Sequence, residues 1–290
     1  MTATLPRPYG DNTISPTLVP SYVSPGAITL LSDRLAPLAS FAMRISPSPL
    51  GARQSVLVTK VTVGSTVQTN PTSWENGDTT AESVSVVVNQ LANSFHITND
   101  QMQQGHKSMA GPFSVAAAKN MSDAISDSWT ILLKAVNFGT LSIGAAADFG
   151  PDSLATIYDK GRDFETINLI LDHSYLSMLI PKDKTGISPS ATKAYGFDGI
   201  YTQNRWTGAD VGVVGFLCDP SALACVAGPP LPQPAGQFLD RRVVELSELK
   251  VPVEMSSWHN TATRTTWGAL SVMFGAAVGE STKLVLLTSA

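Results

Sequence analysis

Residues 55–69 read SVLVTKVTVGSTVQT, residues 70–80 read NPTSWENGDTT, and residues 82–98 read ESVSVVVNQLANSFHIT. The first and third segments are rich in β-branched residues and alternate over short runs, as strands do. The segment between them carries turn chemistry at Asn70-Pro71 and at Asn76-Gly77-Asp78. The three together predict a long β-hairpin with a broad tip. In the first arm Leu57, Val61, Val63 and Val67 are expected on one face, with Thr59 and Ser65 among them. In the second arm Val84, Val86 and Val88 share a face, and Val87, Leu91, Phe95 and Ile97 share the other. A hairpin of this length with so few large apolar residues has little core of its own. It is expected to lie on a neighbouring subunit.

A long amphipathic helix is expected next, from near Pro112 to about Phe138. Pro112 suits a first turn, because its missing N–H has no partner there anyway. Ala117, Met121, Ala124, Ser128, Leu132 and Val136 form an i, i+3/i+4 stripe that Ile125 and Trp129 widen. About 25 residues would make ~38 Å of helix. Upstream, Pro6, Pro8, Pro16, Pro20 and Pro25 mark an extended arm. Residues 26–45 place Ile28, Leu31, Leu35 and Leu38 at helical spacing, and Pro37 is expected to end or kink that helix.

Downstream the texture alternates. Residues 153–165 read as a helix and its exit, 166–172 as a buried strand, 173–180 as a short helix and 211–218 as an apolar strand. Asp219 followed by Pro220 is an N-cap and an N1 proline. This alternation predicts a mixed α/β region. The last stretch is β-rich, with three strands or ribbons, and the final seven to ten residues read as tied into a sheet.

Composition narrows the class. The chain has 290 residues, enough for a sizeable core, and a net charge of −4 without a basic run. Tight binding along nucleic-acid phosphates is not indicated. Charged residues make up 14%, against roughly 25% in ordinary globular domains. Neutral polar surface is easier to desolvate in a permanent contact, because no ion must leave water. Two readings fit: a secreted β-rich protein with Ser/Thr-rich loops, or a subunit of a large assembly. The two cysteines, Cys218 and Cys225, do not make a disulfide framework. A helix over residues 219–228 would set them about two turns apart, as two buried thiols. The N-terminus lacks the order of a signal peptide, and no apolar run reaches ~20 residues.

No catalytic constellation emerges. His96, His106, His173 and His259 fall in no metal-ligand spacing. Phosphate-binding glycine loops and nucleophile elbows are absent from the sequence. Asp148, Asp152, Asp159, Asp163 and Glu165 read as a solvated helix face. Asp198 and Asp210 flank Trp206 and mimic a glycosidase pair, although acidic residues in Gly-rich loops are more often turn formers. No catalytic, metal or cofactor site is predicted, and the chain is not read as an enzyme.

The order of these segments resembles the major capsid proteins of tailed bacteriophages, the Hong Kong 97-type capsid fold. TLPRPYGDNTISPTLVP resembles that family's N-terminal arm, and SVLVTKVTV…SVSVVVNQLANSFHIT its E-loop hairpin. GPFSVAAAKNMSDAISDSWTILLKAV resembles the spine helix of the peripheral domain. INLILDHSYLSMLI and VGVVGFLCDPSALACVAGPPLP resemble the mixed α/β axial domain, and LKVPVEMSSW…WGALSVMFGAAVG the returning peripheral strands. The resemblance covers nearly the whole chain and implies an α+β fold. The implied divisions are an arm with a short helix over 1–51 and the E-loop over 52–98. A peripheral domain would span 99–140 and 241–278, and an axial domain 141–240 and 279–290.

The implied function is a coat protein that self-assembles into an icosahedral shell around packaged double-stranded DNA, held without sequence-specific binding. Its partners would be its own copies in hexamers and pentamers, with portal and scaffolding proteins. It would reside in the virion after synthesis in the host cytoplasm, with no membrane involved. Alternatives are an encapsulin-like nanocompartment shell, another virion structural protein, and, last, a secreted carbohydrate-active enzyme. Expected inter-subunit contacts are Trp74 and Asn76 at the hairpin tip, Lys60 on its first arm, and Tyr9 and Tyr22 on the N-terminal arm. Trp74 reads as an anchor in a neighbour's pocket or as an aromatic folded back on its own hairpin. Some members of the family weld subunits through an E-loop lysine and a peripheral asparagine. Lys60 lies near the hairpin's base rather than its tip, with no evident Asn and Glu partners, so no cross-link is implied.

Overall fold

The computed structural model describes residues 25–62, 80–98, 100, 110–179, 196–231, 240–246 and 249–289. Helix α1, Pro25–Arg34, stops three residues short of Pro37, and a 3-10 turn at Ala36–Ser40 carries that proline. Leu31, Leu35 and Leu38 are buried, as their spacing predicts. Strand β1, Ala42–Ile45, follows.

The predicted hairpin forms from β2, Ser55–Thr62, and β3, Thr80–Val87, paired antiparallel from Ser55↔Val87 to Thr62↔Thr80. Val88 breaks the second arm. Residues beyond it form a separate strand, β4, Asn89–Thr98, which leaves the hairpin and joins the main sheet. The apolar face of the first arm differs from the expectation. Leu57 points outward, while Val56 and Val58 pack inward with Val84 and Val86. Valine occupies both faces of this arm, so alternation alone did not identify the buried one.

Helix α2, Ala110–Thr130, is the long helix, and it ends eight residues before Phe138. Its buried stripe runs through Ala117, Ala118, Met121, Ile125 and Trp129, with Ser114, Ser122 and Ser126 beside them. Val136, expected on the stripe, is 85% exposed. The termination is tertiary: the Thr130 hydroxyl donates to the Thr207 carbonyl, and the Ala135 amide donates to the Asp210 carboxylate. A local reading of the apolar run 131–138 carries no trace of either partner.

Strands β5 (Gly139–Ser142), β6 (Asn168–Leu171), β7 (Gly199–Thr202) and β8 (Val213–Cys218) form one sheet with the C-terminal strand. Helices α3 (Pro151–Lys160) and α4 (His173–Met178) accompany it. After a 3-10 turn at Pro220–Ala222, residues expected to be helical form β9, Leu223–Gly228. The end of the chain contributes four strands rather than three: β10 (Asp240–Glu245), β11 (Pro252–Asn260), β12 (Thr265–Val278) and β13 (Leu284–Thr288).

Two main sheets result. One has the order β1-β9-β12-β11-β10, with β4 also on β12; the other is β5-β13-β8-β6-β7. The C-terminal strand β13 sits inside the second sheet, between β5 and β8, so the expectation of a tied-in end holds. That sheet is mixed: β5/β13 and β6/β7 are parallel, β13/β8 and β6/β8 antiparallel. It is apolar on both faces. Leu169, Leu171, Leu217 and Leu287 pack toward α3 and α4, while Ile170, Phe216, Leu284 and Leu286 join the core around α2. Phe41, Trp129 and Phe216 meet with ring centroids 5.4–5.9 Å apart, and Trp206 reaches Phe216 at 6.1 Å. One aromatic cluster thereby joins α2, the turn after α1 and the five-stranded sheet. The architecture is α+β, as the resemblance implies.

Candidate assembly surface

The hairpin is fixed at its root and open on its outer face. Val56, Val58, Val84 and Val86 pack on a small separate core of Leu50, Val88, Ala224, Val226 and Met273. Val86, the fully buried one of the four, contributes roughly 1.5–3 kcal/mol, and the partly buried Val56, Val58 and Val84 each contribute less. Two hydrogen bonds close the root: the Arg53 amide donates to the Val88 carbonyl at 2.8 Å, and the Val88 amide to the Gln54 carbonyl at 2.9 Å. Arg53 takes a left-handed conformation, φ 63°, to make this turn. Gly275 on β12 lets the root approach: a Cβ there would stand 2.4 Å from the Val87 carbonyl oxygen. Arg44 donates to the Leu57 carbonyl from the side.

The outer face presents Ser55, Leu57, Thr59, Ser83, Ser85 and Val87, all exposed and none charged. Ser55 and Ser85 share a hydrogen bond across it. Leu57 and Val87 are each about half exposed. A two-stranded ribbon is marginal alone; here one face packs on the rest of the chain and the other is exposed.

Of the predicted contact residues, Trp74, Asn76, Tyr9 and Tyr22 lie outside the described residues. The backbone of Lys60 lies in β2 opposite Glu82, and its side chain is likewise outside what is described.

Polar groups elsewhere serve the backbone. Asp198 accepts from the Ile167 amide at 2.8 Å and Asp210 from the Ala135 amide at 2.6 Å. The two carboxylates that resemble a glycosidase pair are thus each engaged as turn and loop acceptors. Asp172 caps α4, accepting from the Ser174 amide and hydroxyl and from the Trp206 indole. Burial pushes this carboxyl up, but those donors outweigh it and hold it below the ordinary value. Asp219 behaves alike: burial raises it, while the amide and hydroxyl of Ser221 and the amides of Thr166 and Glu165 bring it lower. His96 packs at a tilt against Trp267, ring centroids 4.7 Å apart, and His259 bonds the Thr266 hydroxyl. Cys218 and Cys225 are free and buried, on consecutive strands that belong to different sheets. Burial pushes the Cys225 thiol up to about 12 and raises Cys218 as well. Among the described residues no group of three or more His, Cys, Asp or Glu side chains is placed to hold a metal. No helix among them is long and apolar enough to cross a membrane.

A long helix packed against one sheet, a second sheet sharing its core and an anchored two-stranded ribbon give an α+β fold similar to the Hong Kong 97-type fold of tailed-phage capsids, as solved structures show. The capsid of an empty GTA particle aligns with a TM-score of 0.53 at 11% identity, covering 89% of this chain and 90% of that one. The capsid of the cyanophage P-SCSP1u gives 0.52 at 14% identity, with 86% of each chain covered. The capsid of the Myoviridae phage XM1 gives 0.50 at 14% identity, with 88% of this chain and 92% of that one. At these identities the likeness is one of fold. No protein-family model and no curated protein matches the chain.

Proposed function

We propose that the chain is a major capsid protein, whose copies assemble into a closed icosahedral shell around double-stranded DNA. The observation that carries this is the extent of the shared fold. It covers at least 86% of this chain and of each of the three capsid subunits in turn. The hairpin supports it with an inner face anchored on its own subunit and an uncharged outer face ready to be covered. Large obligate interfaces of ~2,000–5,000 Å² suit a chain with only 14% charged residues. The role is structural. A subunit of net charge −4 surrounds DNA without binding it tightly. Rings of five and six copies, portal and scaffolding partners, and residence in the virion follow from this reading. So do Trp74, Asn76, Lys60, Tyr9 and Tyr22 as contacts between copies, and the division into arm, E-loop, peripheral and axial domains.

Expression of the full chain, alone and with candidate assembly partners, followed by negative-stain electron microscopy tests it. Closed shells or five- and six-membered rings are expected. A soluble monomer that assembles under no condition refutes it. Nucleic acid rather than a cargo enzyme inside the shells separates a virus capsid from a nanocompartment.

A further inference from the structure

An open cleft of about 520 Å³ lies where α3 ends and β7 begins. Tyr158 and Phe164 give it two aromatic walls, and Asp159, Arg162, Glu165 and Asp198 bring charge to it. Its floor is rigid. Asp219 accepts from the Glu165 and Thr166 amides, Asp198 accepts from the Ile167 amide, and Lys283 donates to the Asp163 carbonyl. Tyr158 meets Phe197 edge-on, ring centroids 5.5 Å apart. Charge alternates along one side of the cleft, acid at Asp159, base at Arg162 and acid at Glu165. All three residues are exposed, and among the described residues none of their side chains forms a hydrogen bond or an ion pair. Lys160 and Asp163 are exposed beside the cleft, and Lys283 stands 5.6 Å from the Phe164 ring centre. Both signs are therefore present, and a ligand is selected by the order of the charges rather than by their sum.

We infer that this cleft receives the Lys182-Asp183-Lys184 run of a second copy of the chain, within the shell-subunit reading on which the inference rests. Two observations select that occupant. The first is charge order. A base–acid–base run complements the acid–base–acid side of the cleft, and residues 182–184 are the only such tripeptide in the sequence. A cleft lines both faces of an inserted segment. The two lysines, which share one face of an extended chain, meet carboxylates while Asp183 turns to Arg162, and the aromatic walls take the lysine stems. The second is placement. Helix α3 begins beside Phe149, whose ring lies 5.4 Å from that of Tyr175 on α4, and ends at the cleft ten residues later, about 15 Å along its axis. Lys182 follows Met178, the last residue of α4, by four positions. The root of the run and the cleft thus lie at opposite ends of α3. A ring contact needs that arrangement, because one face of a copy meets a different face of the next. Exposed ion pairs hold weakly, so this contact does not supply the affinity. It sets the register of copies already joined through larger surfaces, where charge order rejects wrong pairings.

Charge reversal in the full-length chain tests it. Asp159→Lys with Glu165→Lys in one variant, and Lys182→Glu with Lys184→Glu in another, are each expected to raise the protein concentration needed for rings or shells by about tenfold. The side chains of Asp159 and Glu165 are exposed and hold nothing in place, so the melting temperature of the unassembled first variant is expected to match that of the unmodified chain. All four substitutions together are expected to bring the concentration back to within about threefold, because cleft and run are then reversed alike. A second measurement needs no variant. Light and heavy isotope-labelled copies of the unmodified chain are mixed before assembly and treated with a carbodiimide, which joins a carboxylate to an amine without a spacer. Light–heavy peptides joining Lys182 or Lys184 to Asp159, Glu165 or Asp198 are expected in assembled material and not in monomer. Their absence overturns the inference, whether the joins form only within one copy, only with another protein of the particle, or nowhere. So does a reversed pair that leaves the assembly concentration unchanged, or a fourfold variant that assembles no better than the two double ones. If the unmodified chain forms no assemblies at all, the shell reading fails and this inference fails with it.

Discussion

Gly275→Ala is the most demanding test of how the hairpin is aimed. The added Cβ would lie 2.4 Å from the Val87 carbonyl oxygen and 3.0 Å from Val86 Cγ1. A backbone carbonyl paired in a ribbon cannot rotate aside as a flexible side chain can. The root must retreat by about 1 Å to restore ordinary contact, and overpacking of this kind costs about 1–3 kcal/mol. For a chain of this size that lowers the melting temperature by roughly 2–12 °C. The geometric effect is larger than the energetic one. The contact bears on Val86 and Val87, while each arm of the hairpin has eight described residues, about 26 Å of strand. A 1 Å displacement across a pivot about 7 Å long swings the far end by roughly 4 Å. Assembly should therefore suffer more than folding. Calorimetry and sedimentation of assembled material would measure the two separately. Gly111→Ala is the control: nothing lies within 4 Å of its Cβ position, and alanine in a helix gains up to about 1 kcal/mol over glycine. If Gly275→Ala melts within about 1 °C of the unmodified chain and assembles as well, the close approach at β12 does not set the hairpin's direction.

Three further outcomes follow from the buried polar groups and thiols. Asp219→Asn turns one of two acceptor oxygens into a donor, so that two of four donors lose their acceptor, and should destabilise the fold by about 1–3 kcal/mol near neutral pH. The folded carboxyl lies below its ordinary 3.8, so the stabilisation is present above that value and is lost as pH falls below it through the folded value. The gap between the unmodified and the substituted chain should accordingly close in acid melts. Arg241→Ala leaves Glu254, only 4% exposed, without its ion-pair partner, and a loss of about 3–5 kcal/mol is expected in denaturant titrations. Replacing both, Arg241→Met with Glu254→Leu, should restore most of it. Iodoacetamide at about pH 8 should label neither Cys218 nor Cys225 in the native subunit and both in denaturant, as mass spectrometry would read, because both thiols are buried and raised.

The order of elements was legible because each carries its own local signal. Leu31, Leu35 and Leu38 recur at helical spacing, Pro37 stops α1, and the valine-rich arms alternate on either side of turn residues. What escaped was set by partners distant in sequence. Leu57 and Val56 fit the pattern of a core residue equally well, and the choice between them is made by Met273 and Gly275, about two hundred positions away. The run 131–138 continues the helical spacing of α2, yet Thr207 and Asp210 capture its backbone and side-chain groups first. Residues 223–228 follow an N-cap and an N1 proline, the start signals of a helix. They form a strand because β1 and β12 offer them ladders on both sides. The candidate surface was legible as a hairpin poor in large apolar residues. The exposure of Val136 and Val211 was not, since exposure is a property of the folded chain.

Under the proposed shell role, the same contacts decide where the chain can yield. Helix α2, the turn after α1 and the five-stranded sheet share a single core, with Phe41, Trp129 and Trp206 all packed against Phe216. Outside that cluster Arg205 grips Asp127 by two bonds, and Arg34 reaches Asp123 on the same helix. Sheets joined in this way move together, because close-packed cores do not deform continuously. The hairpin is held differently, by four valines on a separate small core and a two-bond root. A chain that has to meet neighbours at more than one angle would adjust there first, where a small core and two hydrogen bonds hold the ribbon. The glycine at 275 then has a double effect: it lets the root lie close enough to be aimed, and it leaves the anchoring contact small enough to pivot.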